Sequence, residues 1–254
     1  MRSFALKLVA AATLAAWAPS VFSAPSPCAV TSGPSITPVV ELYTSEGCSS
    51  CPPADKWAST LKGKGLVVQA FHVGYWDYIG WVDRFAAPAY AARQRELAAR
   101  NNLRSIYTPQ AVLNGKDWPA WQTSRALAAA REPARINIAL EQLGADQFEA
   151  RVALLSPVLA GQAAGSWSAY WTVTEHGHTA KVLAGENAGE FLKHDFVVRQ
   201  YTQAGDYAFG KASAHRLAFR SIALTPGHPR QVNLVVFDKK TGSTMQAVSL
   251  QCPG

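Results

Sequence analysis

Apolar and polar positions divide the chain into two differently patterned halves. In the first, Pro38–Tyr43 (PVVELY) is a short, apolar, β-branched run, which predicts a strand covered on both faces. The segment PPADKWASTLKGKG after Cys51 has a helical pattern and stops at Gly63 and Gly65. Leu66–Val73 (LVVQAFHV) predicts a second buried strand. Pro88 then opens a helix over AYAARQRELAARNN, with Tyr90, Leu97 and several alanines on its apolar face. TPQAVLNGKDW predicts a strand that turns at Asn114-Gly115, and a last helix is expected near Thr123–Arg131.

From Glu132 the alternation of helix and strand stops. Arg135–Leu140 and Phe148–Leu155 flank Gly144-Ala145-Asp146 and predict a hairpin. Ser166–Thr174, Phe196–Tyr201, His215–Leu224, Val232–Phe237 and Met245–Leu250 add further strands with turn residues between them, the pattern of an antiparallel sandwich. The first half reads β-α-β-α-β-β-α, a parallel βαβ unit followed by a hairpin and a helix, which is the thioredoxin order. The expected fold is therefore an α/β thioredoxin-like domain over residues 25–131, joined at Glu132-Pro133 to a β-rich, sandwich-like domain over residues 132–254.

Residues 1–24 change the compartment. Arg2 and Lys7 precede an apolar run of 11 residues, Leu8–Ala18, and small residues Ser23 and Ala24 follow, which is the layout of a secretory signal peptide. Such a run is too short to cross a bilayer, which takes about 20 residues, so no membrane span is expected and the location is periplasmic or secreted. The formal net charge is +7, and the leader supplies two of those charges. The remaining Lys and Arg residues are scattered, which argues against a nucleic-acid partner.

Export to an oxidising compartment favours paired cysteines. The chain has four, Cys28, Cys48, Cys51 and Cys252, which permit three pairings. A 48–51 pair leaves Cys28 with Cys252, and a structural disulfide joining the two ends of the mature chain is expected. In C-S-S-C, a first thiol at a helix N-terminus is a better nucleophile because backbone N–H groups favour the thiolate. Two intervening residues let the second cysteine close a disulfide. Cys48 is the expected attacking thiol and Cys51 the resolving one. Thr108-Pro109, just before a strand, is the expected position of a cis-proline beside the dithiol, where backbone pairs with a bound peptide.

The segments VVELYTSEGCSSCPPAD, AFHVGYWDYIGWVDRFAAPAYAARQ, LRSIYTPQAVLNG and GENAGEFLKHDFVVR resemble the secreted bacterial domain-of-unknown-function family 1223 over about Val39–Tyr201. The resemblance implies a thioredoxin-like fold with a β-rich second part and the site at Cys48 and Cys51. It supplies no substrate.

Other candidates surround this pair. Trp76, Tyr78 and Trp81 lie in one aromatic stretch that would receive a substrate peptide. Asp77 and Glu41 are candidate proton-relay acids, although Glu41 stands seven residues before Cys48, a spacing that points it to the other face of its strand. The expected function is an exported thiol–disulfide oxidoreductase acting on protein thiols or disulfides without a cofactor. The alternative is a non-enzymatic binding protein whose dithiol is structural or carries a soft metal such as Cu(I), with His72 as a further ligand.

Overall fold

The computed structural model describes residues 28–123, 127, 132–155, 165–210 and 214–252. The expected signal peptide lies outside the described residues, as does most of the helix expected near Thr123–Arg131. Strands β1 (Ala29–Thr31) and β2 (Val39–Thr44) lead to helix α1 (Pro52–Ser59), strand β3 (Val67–His72) and a 3-10 helix (Gly74–Ile79). Helix α2 (Pro88–Arg100) and the hairpin β4 (Gln110–Leu113) and β5 (Lys116–Asp117) follow. Further strands complete the described chain: β6 (Ile136–Gly144), β7 (Gln147–Leu154), β8 (Ser166–Glu175), β9 (His178–Lys181), β10 (Phe191–His194), β11 (Val197–Ala208), β12 (Ala214–Arg220), β13 (Arg230–Asp238) and β14 (Thr244–Leu250).

The expected α/β thioredoxin-like domain followed by a separate β domain is not what these elements build. Strands take up 45% of the structure and helices 14%. Strands from both halves share one eight-stranded sheet in the order β14-β13-β8-β11-β3-β2-β4-β5. The junction is β3, whose free edge takes β11 in parallel, with Val197 opposite Ala70 and the Ala70 amide donating to the Phe196 carbonyl at 2.8 Å. An apolar run fixes that a strand is buried but not which strand pairs with its edge.

The second sheet, β1-β6-β7-β12, is antiparallel and packs face to face on the β8, β13 and β14 end of the large sheet. Ile138, Leu140 and Val152 on one side meet Trp167, Trp171, Val232 and Val248 on the other, and all are buried. The predicted β6–β7 hairpin is present, with Ile138 opposite Val152. The disulfide Cys28–Cys252 ties the start of β1 to the end of β14, and both cysteines pack against this core. At the other end of the large sheet the helices cover opposite faces. Val40, Leu42 and Val68 meet α1 residues Ala54 and Ala58, whereas Tyr43, Phe71 and Val112 meet α2 residues Tyr90 and Leu97. With side chains alternating along a strand, β2 and β3 send Thr44 and His72 to the α1 face and Glu41 to the α2 face. The β4–β5 turn has the expected Asn114-Gly115, both at positive φ (50° and 81°). A Cβ on Gly115 would also lie 2.1 Å from the Gly242 carbonyl oxygen, so only glycine fits there.

Candidate functional site

Cys48 and Cys51 form a disulfide that closes a tight turn ahead of α1, and the Cys51 amide donates to the Cys48 carbonyl at 3.1 Å. Cys51 is the N-cap of the helix, with Pro52 in the first turn where a missing N–H costs nothing. Cys48 therefore sits on the loop before the helix. Ser49 and Ser50 are exposed, while Cys48 is 1% and Cys51 0% exposed. The Ser50 hydroxyl lies 3.4 Å from the Cys48 sulfur.

Three segments brace this loop. Trp76, in the 3-10 helix, donates its indole N–H to the Thr108 hydroxyl at 2.7 Å. A Cβ on Gly47 would stand 3.0 Å from the Trp76 Cβ, so the loop passes this tryptophan as closely as glycine allows. Trp81 donates to Glu46 Oε2 at 2.7 Å. The third brace comes from the loop between β9 and β10. Asn187 donates to the Glu46 and Cys48 carbonyls at 2.8 and 3.0 Å, and Glu186 accepts the Ser49 amide at 3.0 Å. That hydrogen bond holds the Glu186 carboxyl below the usual carboxylate range. The Thr108-Pro109 bond is cis, immediately before β4.

Five buried ionisable side chains gather on the α1 face of the sheet: Glu46, Asp55, His72, Asp83 and His194. They come from the loop before the disulfide, α1, β3, the segment after the 3-10 helix, and β10. His72 Nδ1 and Asp83 Oδ2 are 2.7 Å apart. Asp83 also accepts the amides of Glu46 and Phe85, each at 2.9 Å. His194 sits between Glu46 Oε1 (3.3 Å from Nε2) and Asp55 Oδ2 (3.7 Å from Nδ1), and its ring meets that of His72 edge-on at 4.9 Å. Among the described residues, neither His194 nitrogen, nor Glu46 Oε1, nor His72 Nε2 has a hydrogen-bond partner.

Burial alone would depress the His72 pKa and raise that of Asp83, but their mutual attraction and hydrogen bond outweigh it in both. His72 is thus raised from 6.5 and Asp83 lowered from 3.8. The lowered Asp83 contributes stability above its unfolded value, and that part is lost as pH falls through its still lower folded value. The raised His72 contributes fully below its unfolded value, and that part is lost as pH rises through its folded value. The stability difference between the native chain and Asp83→Asn, measured by urea unfolding, is therefore expected to be largest between about pH 4 and 6.5 and to shrink at higher pH. A difference independent of pH would contradict this account of the pair. Asp55 faces a more distant imidazole, His194 at 3.7 Å. Burial raises its pKa, against the opposing pull of His194 and His72.

The residues singled out from the sequence divide accordingly. Trp76 and Trp81 meet the loop at Gly47 and Glu46, just before Cys48, Thr108 is held by Trp76, and His72 belongs to the buried cluster that includes Glu46. Tyr78 is 81% exposed on the rim. Asp77 is half-buried; its Oδ1 accepts the Asp83 amide at 3.2 Å, and burial raises its pKa. Glu41 is not at the site. It lies on the α2 face in a buried ion pair with Arg93 at 2.7 Å, so it is corrected from proton relay to structural anion. Glu46, Asp55 and His194 are additions that the structure makes. For Asp55 a signal exists, four residues after Cys51 on one helix face; for His194, more than 140 residues away, the sequence offers none. Among the described residues no group of three or more His, Cys, Asp or Glu is arranged to hold a metal ion. A cavity of about 710 Å³ lined by Phe148, His228, Arg230 and Leu250 lies away from this site and includes none of these residues.

No curated protein sequence matches the chain. Its fold is similar to the crystal structure of protein AGR_C_4864 from Agrobacterium tumefaciens, at TM-score 0.64 and 22% identity over 85% of this chain and 94% of that one. It is also similar to HBP35 of Porphyromonas gingivalis, at TM-score 0.57 and 12% identity over 86% and 76% of the two chains. At these identities the likeness is one of fold alone. Residues 39–237 match the family described as "Protein of unknown function (DUF1223)", and the chain belongs to that family.

Proposed function

We propose that the Cys48–Cys51 pair carries out thiol–disulfide exchange with protein thiols or disulfides. The observation that carries this reading is the position of the disulfide: it closes a tight turn with two exposed serines inside it, and the loop and helix it joins carry two members, Glu46 and Asp55, of a buried cluster of five ionisable side chains. A disulfide that served only to hold the fold would gain nothing from buried, partly unpaired acids and imidazoles, which are costly to keep.

In the oxidised protein a substrate thiolate attacks the Cys48 sulfur. The Cys48–Cys51 bond breaks, its electron pair goes to Cys51, and a mixed disulfide joins Cys48 to the substrate. A second substrate thiolate, or Cys51 in the reverse direction, resolves it. Cys48 is the attacked atom because it lies on the loop toward Ser49 and Ser50, with the Ser50 hydroxyl positioned to donate to a thiolate. Cys51 stands behind it at the helix N-cap. Both sulfurs are buried, so exchange requires the loop that carries Cys48 to move and expose it. The two disulfides are compatible with an exported protein, for which the periplasmic or secreted location expected from the sequence is part of this proposal. Among the described residues no helix is long and apolar enough to cross a membrane.

The test is to reduce a Cys51→Ala variant and offer it a peptide disulfide. The expected product is a stable adduct on Cys48, identified by peptide mass. Absence of any adduct, with the fold intact by circular dichroism, would leave the pair a structural disulfide.

A further inference from the structure

A resolving thiol that lies behind the surface has no water to exchange its proton with. When the Cys48–Cys51 bond breaks, the leaving Cys51 sulfur becomes a thiolate in a buried place, and a proton held nearby stabilises it as it forms. The reverse step needs the same proton removed. Cys51 is the N-cap of α1 and Asp55 lies one turn on, with its amide donating to the Cys51 carbonyl at 3.1 Å. Residues four apart share a helix face, and helical side chains lean toward the N-terminus. Asp55 and Cys51 therefore share one face of α1, one turn apart, and both residues are buried.

We propose that Asp55, with His194 standing between it and Glu46, holds the proton that passes to and from the Cys51 sulfur. This rests on the exchange reading above. As the substrate thiolate attacks Cys48, the Asp55 carboxyl gives its proton to the departing Cys51 sulfur and becomes a carboxylate. In the reverse step that carboxylate takes the proton back from the Cys51 thiol as its sulfur attacks Cys48. His194 is a positioning residue, with one ring nitrogen 3.7 Å from Asp55 and the other 3.3 Å from Glu46. The groups facing Asp55 are His194 from β10, His72 from β3, Thr44 from β2 and Asp83 from the segment after the 3-10 helix. The raised Asp55 pKa agrees with a carboxyl that carries a proton more readily than a surface acid does.

That raised value also sets the sign of a control. A carboxyl with a folded pKa above its unfolded one contributes stability only below the unfolded value and loses it as pH rises through the folded value. At neutral pH Asp55→Asn is therefore expected to unfold no more easily than the native chain, so loss of function in this variant is not loss of fold. Exchange with a small dithiol is expected to slow about a hundredfold, with the pH–rate profile losing one ionisation, whereas Asp55→Glu restores part of the rate. A second readout needs no exchange at all. In a Cys48→Ser background the lone thiol of the pair, Cys51, is titrated by ultraviolet thiolate absorbance with and without Asp55→Asn, and the substitution is expected to shift that curve. An unchanged Cys51 titration together with an unchanged pH–rate profile in Asp55→Asn overturns the assignment. If the native protein fails to exchange while Cys51 and Asp55 titrate together, the exchange reading falls and the proton coupling stands.

Discussion

Arg93→Ala is expected to destabilise the protein by about 3–5 kcal/mol, the range for removing one partner of a buried ion pair. Arg93 grips Glu41 with two nitrogens, Nε to Oε2 at 2.8 Å and Nη2 to Oε1 at 2.7 Å. The guanidinium also lies 4.0 Å from the Tyr170 ring centre and donates to the Tyr201 hydroxyl. Its loss would leave the Glu41 carboxylate buried, with the phenols of Tyr43 and Tyr170 as its remaining donors. Both phenols have their pKa raised, by burial first and by Glu41 as well, so they stay neutral and supply no positive charge. The Coulomb attraction of the pair is largely offset by its desolvation, so Glu41→Leu with Arg93→Met is expected to restore most of the loss. Urea unfolding of the two variants decides it. Equal losses in the single and double variants would mean that packing, not charge, sets the cost.

The second large effect belongs to Cys28–Cys252. Its 224-residue separation means that the bond removes the entropy of one very long loop from the unfolded chain, about 5 kcal/mol in the chain-entropy account. Replacing both cysteines by serine is expected to lower stability by about 2–5 kcal/mol in denaturant unfolding. Cys48–Cys51, with a separation of 3, closes so short a loop that the same account gives only about 2 kcal/mol. If both pairs cost the same to remove, the terminal bond is not acting through the unfolded chain.

The strands of the first half are legible in the sequence because their apolar runs are covered on both faces, and the Asn114-Gly115 turn because its positive φ values demand those residues. The architecture is not. Nothing in LVVQAFHV states that its open edge takes Val197, and the thioredoxin order of elements therefore suggests a separate domain where one continuous sheet is built. The brief strands β9 and β10 carry too little pattern to be seen, although they bring His178 and His194 inward. At the site, the cysteines and Thr108-Pro109 stand out by motif. Glu41 is a different case: an odd spacing from Cys48 turns its side chain to the α2 face, where Arg93 from a helix 52 residues later meets it. Asp55 looks like an ordinary first-turn acid, which a helix dipole favours; its spacing of four from Cys51 is a weak sequence signal, and its burial marks it out.

The most direct test of the account is the reduction potential of the Cys48–Cys51 pair. The protein is equilibrated in glutathione buffers, alkylated, and the two cysteines quantified by peptide mass so that Cys28 and Cys252 are scored separately. A reversible transition between about −120 and −270 mV, the range of working dithiol oxidoreductases, is the predicted result. A pair that stays oxidised below about −300 mV would be a structural disulfide, and thiol–disulfide exchange at this site would be contradicted.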